Sequence, residues 1–369
     1  MKKAFSLALV LCMLLATVVI PTTAADPAQS APIYNIPTDA ETYTIDGVVY
    51  NVIRTADQFK AIDGTIAAPV NYILACDIDL GGTTITGANC GVINRKWKSG
   101  ILEGNGFAIY GYQGNDVNNG ALFAFPWDKT SHVFKNVSFG KSGNEIVMTT
   151  SGNGSCAAVI GKIYQDSSAA FYNCKAYVNF TDSDPSATKG QKGAFIGCSN
   201  RGNTSVYFEN CETYGTISGS YGIGGYYGNI NKDHTGLTFT FINCVNNVNL
   251  TATNEVGGFF GGNTTNVVDA QFTFVNCVNN GTLSIGSGKP KGDLIGKSVS
   301  TVPVNVTVPV SEAASLNDGA FGSIAAYPNV TLMANGDGTA SAGWQKTTAD
   351  DNGKRDRNQF FHHFVFSFE

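Results

Sequence analysis

The stretch Phe171-Tyr172-Asn173-Cys174 decides the fold, because the chain repeats it at nearly constant spacing. A degenerate version, Phe134–Val137, ends 37 residues before Cys174, and the later cysteines follow at intervals of 37, 33 and 33 residues. A repeat of this length indicates a solenoid, in which each repeat is one supersecondary unit that buries its apolar face only against its neighbours. The three later copies are Phe208–Cys211, Phe241–Cys244 and Phe274–Cys277.

Two further elements run in phase with this stretch. The first places two bulky apolar residues before a glycine, and the second is a short polar run of β type after each of the last three cysteines. Three short strands per repeat, separated by turn residues, predict a coil whose turns stack about 4.8 Å apart. The sequence therefore predicts an all-β, right-handed parallel β-helix of about 33–37-residue repeats over residues 55–297. The glycine elements are Ala158–Gly161, Ala194–Gly197, Gly225–Gly228, Gly258–Gly261 and Asp293–Gly296.

In-phase residues of a coil lie one above another, so the repeat predicts side-chain columns. The phenylalanines face inward, and the asparagines can form a ladder of amide hydrogen bonds between turns. The cysteines have a backbone spacing that permits disulfides, but in-register parallel strands direct their side chains alongside each other. We favour buried thiols there, with Cys76–Cys90 and Cys156–Cys198 as further candidate bridges. The predicted structural ladder consists of Asn173, Cys174, Asn210, Cys211, Asn243, Cys244, Asn276 and Cys277.

The composition argues against a nucleic-acid partner. Of 369 residues, 14% are charged and 43 are glycine, a mixture that suits short strands and tight turns. The formal net charge is −5, and the short basic stretch Lys354–Arg357 is the densest one. Binding to nucleic acid needs clustered Lys and Arg, so no nucleic-acid partner is expected.

Residues 1–25 are predicted to be a secretory signal peptide. Lys2 and Lys3 precede an apolar run, and the small residues that follow place cleavage near Ala24 and Ala25. A retained membrane anchor is the alternative interpretation of the same run. We expect a secreted or cell-surface protein with no transmembrane segment in the mature chain, which keeps eight of the nine cysteines.

The two ends of the coil are predicted to differ from its body. Residues 26–54 form a leader or edge segment, and Thr55–Ile62 is a short capping helix with Thr55 as N-cap and Gln58 three residues on. Residues 298–369 are predicted to form a C-terminal strand or cap followed by a poorly ordered tail. Three interpretations of the last residues stay open: a cap, an anchor for a partner, or an altered reading frame.

The same elements resemble those of a known group of proteins. The segment from Tyr72 to Leu80, the Gly-Asn-Gly turn at Gly104–Gly106, and the repeated glycine and Phe-x-Asn-Cys elements resemble bacterial surface proteins with GLUG-type repeats. The glycine element fits best at Val256–Gly261. This resemblance implies a pectate-lyase-like β-helix, export and surface display, often with adhesion; it implies no reaction and no catalytic residue.

No pattern in the sequence predicts catalysis. Glycoside hydrolysis needs two carboxylates about 5–10 Å apart, and the nearest acidic pairs, Asp77 with Asp79 and Asp182 with Asp184, are interpreted as a strand edge and a turn. The histidines, His132, His234, His362 and His363, lack metal-ligand spacing with the cysteines. We therefore expect no catalytic residue, no metal and no cofactor.

A binding role remains as the leading hypothesis. Tyr221, Tyr226 and Tyr227 form an aromatic cluster that serves either as core or as a sugar-binding surface. We expect a non-catalytic exported protein with a structural, adhesive or binding role toward host or environmental glycans or surface proteins. The alternatives are a β-helix carbohydrate-active enzyme, either a polysaccharide lyase or a hydrolase, and a truncated fragment of a longer adhesin.

Overall fold

A computed structural model describes most of the chain between Pro32 and Met333. The predicted signal peptide, its cleavage position near Ala24 and Ala25, and most of the predicted tail lie outside the described residues. The described residues are 32–94, 96–124, 128–150, 154–182, 190–199, 202–230, 235–263, 267, 269–309, 319–326, 328–333 and 343–344.

Strands dominate the described part of the chain, and its one α-helix is α1, Ala56–Lys60. The strands of the first half are β1 Thr42–Ile45, β2 Val48–Ile53, β3 Tyr72–Leu74, β4 Ile78–Ala88, β5 Gly91–Asn94, β6 Ser99–Glu103, β7 Ala108–Asn118, β8 Ala121–Ala124, β9 Ser131–Lys135, β10 Ser138–Phe139, β11 Ile146–Thr150, β12 Ser155–Cys156, β13 Ile160–Ile163, β14 Ser168–Tyr172, β15 Lys175–Asp182, β16 Gln191–Gly193 and β17 Ile196–Ser199. The strands of the second half are β18 Ser205–Glu209, β19 Glu212–Gly219, β20 Ile223–Gly224, β21 Tyr227–Ile230, β22 Thr238–Ile242, β23 Val245–Ala252, β24 Val256–Gly257, β25 Phe260–Asn263, β26 Gln271–Val275, β27 Val278–Asn279, β28 Leu283–Ile285, β29 Lys291–Gly292, β30 Ile295–Ser298, β31 Asn305–Pro309, β32 Phe321–Ile324, β33 Asn329–Met333 and β34 Gly343–Trp344.

These strands pair across successive turns of the coil into four sheets. Sheet 1 runs β1-β2-β3-β6-β9-β14-β18-β22-β26-β31-β33-β34, and sheet 2 runs β10-β7-β11-β15-β19-β23-β27, with β4 on β7 and β28 on β23. Sheet 3 runs β12-β16-β20-β24-β29, and sheet 4 runs β32-β30-β25-β21-β17-β13-β8-β5. Among these pairings, β1–β2 and β33–β34 are antiparallel and the others are parallel. The structure is thus a parallel β-solenoid of about 6 turns with repeats of about 33 residues, which confirms the predicted fold class.

The in-register pairing places the repeated phenylalanines in one inward column. Phe171, Phe208, Phe241 and Phe274 are direct partners on β14, β18, β22 and β26. Their rings stack at centroid distances of 4.8, 5.2 and 4.9 Å and are nearly parallel. Each ring is buried. Since burial of one Phe contributes about 1.5–3 kcal/mol, this column is a main source of stability.

The glycine element is a sharp bend between sheets 3 and 4. Phe259 and Phe260, at the bend, both point inward and pack against Phe274 and Phe272. The chain can turn this tightly because Gly261 has no Cβ. A Cβ there would overlap a backbone carbonyl oxygen of the previous turn. The repeated glycine therefore serves close backbone approach between the strands that flank the bend.

Helix α1 begins at the predicted cap. The Thr55 side chain accepts a hydrogen bond from the Gln58 backbone, and the Gln58 side chain accepts one from the Thr55 backbone, which is the predicted capping box. Phe59 is buried and packs edge to face on Phe123 at 6.1 Å. The short helix therefore covers apolar side chains of the first turns, as predicted for a capping helix.

Parallel stacking continues beyond residue 297. Strand β31 pairs with β26, and β33 pairs with β31, so that Asn329 lies beside Asn305. The Asn329 side chain donates a hydrogen bond to Asn305 Oδ1 at 3.4 Å. Sheet 1 thus extends through three strands, β31, β33 and the antiparallel β34, of the segment for which the sequence predicts one strand.

Candidate functional site

The asparagines of the repeat form a ladder at the corner between sheets 1 and 2. Each side-chain Nδ2 donates to the Oδ1 of the preceding turn, at 2.9 Å from Asn173 to Asn136 and at 3.2 Å for each later step. The backbone φ of these residues lies between 50° and 53°, a left-handed conformation that Asn adopts more readily than other non-glycine residues. The later members are Asn210, Asn243 and Asn276.

The ladder has a direction, and its two ends differ. Asn136, at the first end, donates to Glu103 Oε1 and Oε2 at 2.9 and 3.1 Å. At the other end the Oδ1 of Asn276 is buried and has no hydrogen-bond partner among the described residues. Burial raises the pKa of Glu103, although its amide donors oppose the shift. A carboxylate therefore supplies the acceptor that the first amide of the ladder needs.

The cysteines of the repeat are free thiols. Cys174, Cys211 and Cys244 are buried, whereas Cys277 is partly exposed at the end of the column. Their Sγ atoms lie 3.3–3.5 Å from backbone carbonyl oxygens of sheet 1, and burial raises the pKa of Cys211. Cys76, Cys90, Cys156 and Cys198 are free as well, so the candidate bridges between them are not formed in this structure.

The three tyrosines of the predicted cluster do not share one surface of the coil. Tyr226 and Tyr227 are fully buried, where Tyr226 stacks on Phe259 at 4.9 Å and Tyr227 stacks on Phe260 at 5.5 Å. These two side chains are core residues and cannot contact a ligand on the surface, which corrects the surface interpretation. Tyr221 precedes the bend and remains partly exposed.

The acidic pairs also have structural partners. Asp77 accepts a hydrogen bond from the Ala108 backbone at 2.9 Å and lies 3.3 Å from Lys141 Nζ. Asp79 is exposed and accepts from the Gly81 backbone at 2.9 Å, an Asx turn. Asp182 forms an ion pair with Lys192 inside the coil, and Asp184 lies outside the described residues.

His132 is buried within sheet 1, and its ring lies 4.7 Å from that of Trp97. Burial lowers its pKa to about 3, so the ring is neutral at physiological pH. His234, His362 and His363 lie outside the described residues. Within the described part of the chain, no three His, Cys, Asp or Glu side chains are grouped to hold a metal ion, and no helix is long and apolar enough to cross a membrane.

The outward side of sheet 1 carries the best candidate for a binding surface. We call the outward residues of β9, β14, β18 and β22 the tyrosine face. Tyr172 and Tyr207 are both partly exposed there, with ring centroids 5.4 Å apart and planes tilted by 40°. They lie on the diagonal of adjacent strands, since Tyr207 is the direct partner of Ala170. The remaining residues of the tyrosine face are Ser131, Val133, Lys135, Ser168, Ala170, Ser205, Glu209, Thr238, Thr240 and Ile242.

Charged groups flank the two rings of the tyrosine face. Lys135 Nζ lies 6.0 Å from the centroid of Tyr172, at the outer limit of a cation–π contact. The Tyr207 hydroxyl donates to Glu209 Oε2 at 2.8 Å, and this hydrogen bond is the main reason why its pKa is raised to about 12. The face thus combines aromatic area with both signs of charge and a row of hydroxyl groups.

The alternation of side chains along the strands of sheet 1 indicates the tyrosine face in the sequence. Phe171 and Phe208 point inward, and side chains alternate along a strand. Tyr172, Tyr207 and Glu209, which neighbour them in sequence, must therefore point outward. The aromatic cluster predicted from the sequence lies instead at the bend, where two consecutive residues point inward and alternation fails.

A second group of polar side chains lies on the outer side of the bend between sheets 3 and 4. Glu255 is 2% exposed; its Oε1 accepts from Asn229 Nδ2 at 3.2 Å, and its Oε2 lies 3.8 Å from Lys297 Nζ. Gly262 leaves room for this carboxylate, because a Cβ there would overlap Oε1. Burial raises the pKa of Glu255 to about 7, against the opposing effect of Lys297.

Comparisons of the chain with protein-family models, with curated proteins and with solved structures give no match.

Proposed function

We propose that the protein is an exported, non-catalytic β-helix that binds glycans or surface proteins through the tyrosine face. The observation that carries the proposal is the pair Tyr172 and Tyr207, partly exposed between Lys135 and Glu209 on a continuous sheet surface. Tyrosine contributes large, rigid contact area with a polar end and is enriched at binding surfaces. The stability of the coil depends on its inner columns, so the outer residues are available for recognition.

Two features of the sequence support this assignment. The predicted signal peptide favours export, and the resemblance to proteins with GLUG-type repeats favours surface display, often with adhesion. The net charge of −5 favours neutral glycans or proteins over nucleic acid as partners.

The test is binding of the purified chain 26–369 to an array of glycans, with a polysaccharide-degradation screen on the same preparation. We expect selective binding without turnover, and we expect Tyr172→Ala and Tyr207→Ala each to weaken it at least about tenfold, as loss of an aromatic anchor does. Tyr214→Ala is the matched control, since Tyr214 is a partly exposed tyrosine on the outward side of sheet 2. An equal loss for all three variants, or none for the first two, contradicts the proposed surface.

A carbohydrate-active enzyme is the second candidate, and Glu255 is the observation that favours it. A buried carboxyl group with a pKa of about 7 suits a general acid at neutral pH. The degradation screen decides this alternative: new reducing ends or unsaturated products that disappear in Glu255→Gln would replace the binding proposal with an enzymatic one. The same variant should bind glycans normally if the tyrosine face is the binding surface.

A further inference from the structure

Lys192 lies between buried apolar residues of the neighbouring turns. On β16 its register partners are Cys156 in the preceding turn and Ile223 in the following one, and both are fully buried. The Lys192 side chain is itself 0% exposed. A lysine is almost never fully buried unless its amine is paired with another group, so its partner determines what it does.

The partner is the carboxylate of Asp182, at the end of β15 in the same turn. Lys192 Nζ contacts Asp182 Oδ1 directly, and the Asp182 side chain is 7% exposed. The Thr150 hydroxyl donates to the same Oδ1 at 2.5 Å. A Cβ at Gly219 would lie 2.7 Å from Nζ, so this glycine leaves the space that the pair occupies.

We propose that Lys192 and Asp182 condense to form an intramolecular amide bond. Proton transfer within the pair gives a neutral amine and a carboxylic acid, and the amine nitrogen then attacks Asp182 Cγ. The Nζ–Cγ bond forms and the Cγ–Oδ2 bond breaks. Oδ2 leaves as water with the carboxyl proton and one amine proton, so the step needs no oxidant and no co-reactant.

The surroundings of the pair suit this step. The Thr150 hydroxyl holds Oδ1 as the carbonyl oxygen that remains in the amide and withdraws charge from Cγ. Burial raises the pKa of Cys156, next to the pair, to about 12, so its thiol stays neutral and does not compete for the ammonium group.

The amide would join the last residue of β15 to the strand of sheet 3 that follows it. This is the corner at which the chain leaves sheet 2, so the bond would fix two strands of one turn to each other covalently. A chain exposed outside the cell gains resistance to unfolding and proteolysis from such a bond, without any need for its free thiols to oxidise.

Intact-mass spectrometry of the purified folded protein tests the proposal directly. We expect the protein to be lighter than its sequence mass by one water molecule. After trypsin digestion, a branched peptide should join Ala176–Lys189 to Gly190–Arg201 through Asp182 and Lys192. An uncleaved linear peptide has the same mass, so fragmentation must show two N-termini, at Ala176 and at Gly190.

Two results overturn the proposal. One is a protein with its full sequence mass. The other is a loss of water that maps to a linear peptide, because cyclisation of an aspartate to a succinimide also releases one water molecule.

Variants separate the reaction from the fold. Lys192→Arg keeps the charge but supplies a poor nucleophile, so it should restore the full mass. Lys291→Arg, at the equivalent but exposed position of β29, should retain the loss of water. Thr150→Val should lower the cross-linked fraction at a fixed time after refolding; an unchanged fraction removes Thr150 from the proposed reaction. Retained loss of water in Lys192→Arg would contradict the assignment of Lys192.

Discussion

The two sides of sheet 1 follow the same repeat but differ in how far residue identity is repeated from turn to turn. On the inner side, Phe134, Phe171, Phe208, Phe241 and Phe274 are the same residue in five successive turns. On the outer side, the neighbouring column reads Lys135, Tyr172, Glu209, Ile242 and Val275. The inner column must interlock between turns at native packing density, whereas the outer one has only to remain compatible with a strand. The difference indicates that stability resides inside and that the outer side chains are free to vary.

The largest expected effect is the loss of one inner ring. Phe208→Ala should lower the free energy of unfolding by about 3–5 kcal/mol, because its ring stacks between Phe171 and Phe241 and the cavity cannot be filled by solvent. Denaturant titration measures the change. A loss below about 1 kcal/mol would contradict the view that the inner column dominates stability.

The corner ladder should show an intermediate effect with two separable parts. Asn210→Ala removes two amide hydrogen bonds and places alanine at φ 52°, so we expect a loss of about 2 kcal/mol. Asn210→Gly removes the same hydrogen bonds but tolerates the backbone conformation, so it should lose about 1 kcal/mol less. Equal losses in the two variants would show that the left-handed backbone contributes nothing.

Substitution of Glu255 tests whether a side chain that points outward from the coil is always exposed to solvent. Its pKa is about 7 in the folded protein against 4.5 in the unfolded chain, so its contribution to stability is full below pH 4.5 and is lost as the pH rises through 7. Between pH 5 and pH 8, Glu255→Gln should therefore gain up to about 3 kcal/mol relative to the unmodified protein. Chemical denaturation at several pH values measures this, with Glu209→Gln on the tyrosine face as the matched control. A pH-independent difference would place Glu255 in water.

The smallest expected effect belongs to the tyrosine face. Tyr207→Ala should change the free energy of unfolding by about 0.5 kcal/mol or less, because the ring is partly exposed and Glu209 is the only hydrogen-bond partner of its hydroxyl among the described residues. The same variant is expected to impair binding, so a folded protein with a lost function sharpens the contrast with Phe208→Ala. A loss of stability comparable to that of Phe208→Ala would remove the distinction between the two sides.

The columns of in-phase side chains were predictable from the sequence. Parallel pairing in register places residues that are one repeat apart next to each other in space. Residues 33 or 37 apart became direct partners, which is why the phenylalanine column, the asparagine ladder and the row of cysteines could be expected. The capping box at Thr55 was equally accessible, since it needs only residues three apart.

The bend between sheets 3 and 4 limited the prediction. Strict alternation would have placed one of Tyr226 and Tyr227 outside, but the close approach of glycine backbones lets both point inward. The same segment offered a signal for Lys192, which aligns with Ile223 and Val256 in the later copies of the element. A charged residue between buried apolar neighbours requires a partner, and the identity of that partner depends on where the preceding strand ends.

The sequence by itself determined the period, the columns and the direction in which most strand residues point, because hydrogen bonding between equal turns leaves no other register. Only the tertiary structure decided which outward groups are buried and which charges meet. Glu255 reaches Lys297 and Asn229, and Asp182 reaches Lys192, through contacts whose geometry depends on how sharply the chain bends. Those bends result from backbone packing between neighbouring turns, and no local sequence pattern predicts how sharp they are.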